Sequence, residues 1–439
     1  MVYFYKATQL LLMKFRILQS IKTTFVFVCL ILIITSSSWI PARQSDRIRL
    51  YTRNHEFDFT GWTVDAAWKK FSMFSLGVGH FLSEKQEQKI LDDYSFIHER
   101  VDELKYQIAE VFSDPNIKDP LNETSGLSNR LKEFETILSR QSLVAEMVIQ
   151  NQVSEKIKEL DLALIGQTFP PVLYHVSELP NNLVISPRDQ IDQEASISLN
   201  AGLNLEDIVV IEDNVEDATE YSALVVQIGG ISTYPSMVID TYYLPYLVET
   251  VAHEWTHNYL IFRPLGIRYS SSPELRTMNE TTASIMGEEI SRMLTGMELP
   301  EPENHSSGSY GHNLEIAYHP SSDEIPSNEP VFDFRKQMYE TRLAVDRFLS
   351  EGKIEEAEEF MEEQRKIFCE NGYMIRKLNQ AYFAFHGAYA DTPYSAAGSD
   401  PVGEDVRTLR ARSKDLNEFL NHISGMRSYR ELRDFIHTF

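Results

Sequence analysis

The sequence predicts an α+β fold, mostly helical. Three observations lead there. Long stretches on both sides of the centre place apolar residues at helical spacing. Residues 172–238 instead carry short β-branched runs with turn residues between them. Two further helical stretches, 240–262 and 279–295, follow directly. At 439 residues and 43% hydrophobic content, the chain is long enough for two or three domains with real cores.

Residues 23–40 contain no charge, and Lys14, Arg16 and Lys22 precede them. This reads as a signal peptide or a signal anchor, a candidate transmembrane helix. Its strongest apolar part is short for a full span, yet no clean A-x-A cleavage site follows. Residues 1–42 are therefore assigned to a signal peptide or membrane anchor, and the rest is expected to be anchored or exported with its main domain outside the cytoplasm.

Residues 43–165 read as a helical N-terminal region. A helix is expected over 62–76. Ser83 and Gln86 have the spacing of a capping box ahead of a long helix to about residue 112. Asp, Pro, Asn and Gly make 113–126 a loop. A second long helix over 128–164, with Leu131, Phe134, Leu138, Val144 and Val148, suggests a helical pair.

Residues 166–300 follow as the expected central core, where short strands precede two helices. Strands are expected at 172–176, 183–186, 208–211 and 223–228. Residues 230–238 would form a bent edge strand broken by Pro235. The 240–262 helix stops before Pro264, and Pro245 fits it only near the first turn.

This helix contains His253-Glu254-Trp255-Thr256-His257. Residues i and i+4 share a helix face, so His253 and His257 can offer two nitrogens to one ion. Glu280, within Asn279-Glu280-Thr281-Thr282-Ala283, is placed as a third ligand. Three protein ligands and one open place describe a catalytic zinc site. Glu254 sits one position round from His253, where a general base can reach water at the ion.

The H-E-x-x-H stretch followed by N-E-x-x-A resembles the gluzincin metallopeptidases over about 45 residues. The resemblance implies a zincin-like catalytic domain with a small mixed sheet and two active-site helices, flanked by helical regions. It implies Zn2+ as cofactor, His253, His257 and Glu280 as ligands, Glu254 as base, and a peptide or protein as substrate. The metzincin pattern fails, because Leu260 and Arg263 stand where it needs Gly and His. In the thermolysin-like pattern an aspartate four residues past the glutamate ligand orients a ligand histidine; here that residue is Ser284. Glu288 and Glu289 are candidate replacements. In this fold an edge strand binds extended substrate by strand addition, which places Gly229, Gly230 and Ile231 at the substrate.

Residues 301–330 form a polar loop or lid, with His305, His312 and His319 at intervals of seven. Residues 331–439 are a helical C-terminal region, with helices expected over 331–350, 353–371, 373–390, 400–423 and 428–438. Within it, Leu378-Asn379-Gln380-Ala381, with Tyr389 and Asp391 beyond, resembles the C-terminal motif of a family of predicted bacterial zinc aminopeptidases. A donor to the developing oxyanion is needed, and Tyr389 and His386 are the candidates. The aromatic turn of Tyr382, Phe385 and Tyr389 also reads as core.

The net charge of −24 disfavours nucleic acid and anionic lipid surfaces as partners. Cys29 and Cys369 lie in unlike surroundings and are not expected to pair. Asp240 and Glu249 lie near the motif as possible holders of a substrate ammonium, or as surface residues. Exopeptidase and endopeptidase are not separable. The alternative function is a non-catalytic membrane-anchored binding protein with a structural or vestigial metal site.

Overall fold

A computed structural model describes residues 44–76, 82–113, 117, 119–163, 166–297, 316–318, 332–387 and 401–438. The fold is α+β and mostly helical, with three small sheets among the described residues. Two compact units divide the chain, Met1–Tyr51 and Thr52–Phe439. The described end of the first unit is helical and belongs to α1 (Gln44–Thr52). The apolar segment 23–40 lies outside the described residues. No helix among those described is long and apolar enough to cross a membrane.

The second unit opens with α2 (Phe59–Leu76), whose first turn is capped by Asp58 accepting from the Gly61 N–H. The expected capping box starts α3 (Glu84–Ser113): Gln86 Oε1 accepts from the Ser83 N–H at 2.9 Å and from its hydroxyl at 2.8 Å. The expected loop after it contains one short helix, α4 (Pro120–Glu123). The second long helix, α5 (Ser125–Glu159), starts and ends a few residues before its expected bounds. Gln152 near the end of α5 bonds Glu87 near the start of α3, so the two run antiparallel as a helical pair.

Strands β1 (Tyr174–Val176), β2 (Asn181–Pro187) and β3 (Ala195–Leu199) follow. β3 is not among the expected strands, although Ser196 and Ser198 alternate with its apolar residues in the strand pattern. The strand expected at 208–211 is a helix instead, α6 (Leu205–Ala218). Asn204 accepts from the Asp207 N–H, and Glu206 and Asp207 sit in the first turn. Cap and helix dipole together outweigh the weak helix preference of four β-branched residues. β4 (Tyr221–Val226), β5 (Gly230–Ile231) and β6 (Ser236–Val238) complete this region. The expected bent strand is thus two strands with Pro235 between them. β3-β2-β4 is antiparallel, whereas β1-β6-β5 is mixed and leaves β5 at its edge.

Helix α7 (Leu244–Leu260) carries the H-E-x-x-H stretch, and Pro245 falls in its first turn, where its missing N–H costs nothing. A short connection, α8 (Pro264–Ile267), turns the chain back into α9 (Pro273–Thr295). Gly266 permits that turn, since a Cβ there would lie 2.1 Å from the Leu260 carbonyl oxygen. Ser272 caps α9 through the Leu275 N–H. Ser291 near its end donates to the Pro245 carbonyl at 2.6 Å, so α7 and α9 run antiparallel.

Strand β7 (Ile316–Tyr318) is the described part of the expected lid; His305, His312 and His319 lie outside the described residues. Helices α10 (Phe334–Ser350) and α11 (Ile354–Glu370) match expectation, with Gly352 and Gly372 at φ +73° and +90° closing them. The helix expected over 373–390 is not continuous. It divides into β8 (Tyr373–Ile375), paired with β7, and α12 (Gln380–His386). Asn379 interrupts it by capping α12 through the Tyr382 N–H. The last region holds α13 (Pro401–Arg412), α14 (Leu416–Ser424) and α15 (Tyr429–Thr438), two helices where one was expected over 400–423.

Two apolar clusters organise this unit. The larger packs α3, α5, α7, α9 and α13 to α15 around Val251, Trp255, Met286 and Phe419. The smaller covers the β2–β4 sheet with α10, α11 and α12. One buried polar knot lies beside the larger: Glu146 on α5 accepts from Lys70, from the Val176 N–H and from His175 Nδ1 at 3.0 Å. Removing one member of such a knot leaves an unpaired buried charge, so it ties α2 and β1 to α5.

Candidate metal centre

α7 and α9 face each other along their buried sides, and this brings His253, His257 and Glu280 together. Their ligand atoms lie within 4.8 Å of one another. His257 Nε2 is 3.0 Å from His253 Nε2 and 3.2 Å from Glu280 Oε2; His253 Nε2 is 3.5 Å from the same oxygen. All three side chains are largely buried.

Glu280 Oε2 is buried without a hydrogen bond of good geometry, and its neighbours are the two histidine nitrogens at 3.2 and 3.5 Å. A buried carboxylate in that position calls for a positive charge beside it, which a protonated imidazole or a bound cation supplies. Two imidazole nitrogens and one carboxylate oxygen converging on one point form a donor set suited to zinc. The residues therefore fit the implied ion.

The surroundings hold the ligands in place. Asn279 Oδ1 lies 2.7 Å from His257 Nδ1. Tyr269, in the connection between the two helices, donates its hydroxyl to Glu280 Oε1 at 2.5 Å. Its ring stands edge-on to His257, with the Arg276 guanidinium 5.6 Å from its centroid. Tyr269 carried no sequence signal, because its role appears only when the connection folds back over α9.

Electrostatics follow from burial and convergence. Burial opposes the charge of His257, but Glu280 outweighs it and holds the imidazole up to about 9. Burial pushes His253 down. Burial also opposes charge on Glu280, yet His257 and His253 keep it well below the usual carboxylate range. A cation at this point competes with the proton on His257.

Glu254 is buried, and burial pushes its carboxyl up to about 8. A Cβ on Gly230 would lie 2.3 Å from Glu254 Oε1, so the backbone of edge strand β5 passes directly over this carboxylate. Asn258 ties the β5–β6 turn to α7 through the Thr233 carbonyl and Ser236 Oγ. Gly229 supports the same edge, its carbonyl accepting from the Ile239 N–H, and Ile231 pairs with Met237.

The remaining described candidates are not members of the converging group. His386 is buried on α12 against Tyr382 and is not in the converging group. Tyr389 and Asp391 lie outside the described residues. Asn379 and Gln380 fasten α12 to the sheet region: Asn379 Nδ2 donates to the Ala223 carbonyl, while Gln380 accepts from Ser222 and donates to the Arg188 carbonyl. Tyr382 is fully buried, as the core reading expects. Glu288 and Glu289 pair with Arg407 and Arg410 on α13. Asp240 is bound by Tyr94 and His98. Cys369 is a free thiol.

Compared with known protein families, curated proteins and solved structures, the chain matches none.

Proposed function

We propose that this chain is a zinc-dependent peptidase of gluzincin type. The observation that carries the reading is the buried convergence of Glu280 Oε2 and two histidine nitrogens, with Glu254 beside it under an edge strand. His253, His257 and Glu280 would hold the ion. Zinc supplies Lewis acidity to a carbonyl and to water.

Glu254 is buried and stands beside the ligand group rather than within it. Its burial favours accepting a proton, so it takes the proton of the attacking water and returns it to the leaving amine. β5 is the edge of its sheet, where an extended peptide would add as a further strand, and Gly230 lets that backbone approach Glu254 closely. Tyr269 donates its hydroxyl to Glu280 Oε1, which fixes that carboxylate and leaves Oε2 toward the histidines. The apolar run of residues 23–40 supports an anchored or exported enzyme acting outside the cytoplasm.

The test is metal content and peptide hydrolysis by the purified soluble part of the chain. We expect bound zinc and hydrolysis. Glu254→Gln should keep the zinc and lose about two to four orders of magnitude in rate. Hydrolysis at the parental rate in that variant would remove Glu254 from the mechanism. Absence of zinc after incubation with it would remove the peptidase reading.

A further inference from the structure

The ligand histidines need outer partners, and only His257 has an obvious one in Asn279. We propose that Glu249 is the positioning residue for His253. This rests on the zinc reading above.

Glu249 lies four residues before His253 on α7, so both project from one helix face. Its Oε1 is 3.9 Å from His253 Nδ1. This is an ion-pair separation rather than a formed hydrogen bond, and closing it takes a movement of roughly 1 Å. Thr250 Oγ lies 3.3 Å from the other carboxylate oxygen. The side chain is enclosed between α7 and α9, only 13% exposed.

The facing helix is shaped around this carboxylate. A Cβ on Gly287 would lie 2.8 Å from the Glu249 carbonyl oxygen and 3.0 Å from its Oε1. The glycine therefore leaves room for the acid where α7 and α9 approach. The other acids of that stretch are taken, since Arg407 holds Glu288 and Arg410 holds Glu289. Position 284, on the same helix, offers a serine hydroxyl and no charge.

The chemical consequence is a fixed tautomer. A carboxyl oxygen accepting at Nδ1 keeps the proton on that nitrogen and leaves Nε2 on the side of Glu280. His257 reaches the same state through a neutral amide oxygen. The two ligands are thus supported by different groups, an amide oxygen for His257 and a carboxyl oxygen for His253.

The test uses the soluble part of the chain with Glu249→Ala and the isosteric Glu249→Gln. Chelator competition reads the zinc affinity. Nitrogen NMR of the metal-free protein reads the His253 tautomer. We expect Glu249→Ala to weaken zinc by about 10- to 100-fold, with a smaller loss for Glu249→Gln, whose amide oxygen still accepts. We also expect metal-free His253 to lose its Nδ1–H preference in Glu249→Ala. If that variant does not fold, Glu249→Gln carries both readouts. Folded variants with parental zinc affinity and an unchanged tautomer would overturn the proposal while the zinc reading stands. A parent that takes up no zinc would overturn both.

Discussion

Asn279 Oδ1 sits 2.7 Å from His257 Nδ1, and the next residue, Glu280, faces the other nitrogen of the same ring. Adjacent residues of α9 thus grip His257 from both sides. The amide oxygen holds the Nδ1–H, which frees the Nε2 lone pair for a metal.

Asn279→Ala removes that acceptor. Zinc affinity is expected to fall by about 10- to 100-fold, measured by chelator competition, with the fold intact by circular dichroism. An unchanged dissociation constant would show that Asn279 does not orient the ligand.

Gly230→Ala forces a methyl group against Glu254, whose Oε1, Cδ and Cγ all lie within 2.9 Å of the new Cβ position. The carboxylate is the part that can yield, so it must turn away. Misplacing a reacting group by about 1 Å costs on the order of 100-fold. We expect kcat for peptide hydrolysis to drop by that order with zinc content unchanged. A variant as active as the parent would mean that Glu254 works from another rotamer.

His98 gives the fold a pH dependence. Its Nε2 lies 3.0 Å from Asp240 Oδ1 and its Nδ1 3.2 Å from Asp102 Oδ2. Tyr94 donates to the same Asp240, the Tyr242 ring packs nearby, and Lys105 adds a positive charge toward Asp240. Burial opposes the imidazolium, but the two carboxylates outweigh it and hold His98 up to about 9. A raised pKa stabilises the fold fully below the unfolded value near 6.5. That stability is lost as pH rises through about 9. We expect stability to fall by about 1–2 kcal/mol over this window, after screening is allowed for. His98→Asn should flatten the slope in urea titrations at stepped pH; a slope equal to the parent's would place the dependence elsewhere.

Much of the site was legible before the fold. The four-residue spacing of His253 and His257 needs only a helix, and Pro264 and the apolar run before it mark one. Glu280 followed from the same local logic on α9. Glu249 also had a signal, its spacing of four from His253, but nothing local said which side of the helix would be closed. Tyr269 had none, because a residue in a connection declares its contact only after the chain has turned back.

The misread elements fail for one reason. Ile208-Val209-Val210-Ile211 looks like a strand by composition, yet Asn204 and the acids after it start a helix there. Tyr373 looks helical by its neighbours, yet it pairs with Tyr318, more than fifty residues earlier. In each case a cap or a distant partner overrides a weak local preference.

By itself the sequence determined which side chains are candidates for a metal group: two histidines one helical turn apart, a carboxylate between them in sequence, and a glutamate on the next helix. Helical periodicity and proline punctuation are local physics, and they suffice for that. Only the tertiary structure decided how those side chains meet. The antiparallel closure of α7 on α9 brings three ligand atoms together, buries Glu280 Oε2 against two histidines, and lays Gly230 over Glu254. Those relations depend on packing between residues tens of positions apart, which no periodicity along the chain encodes.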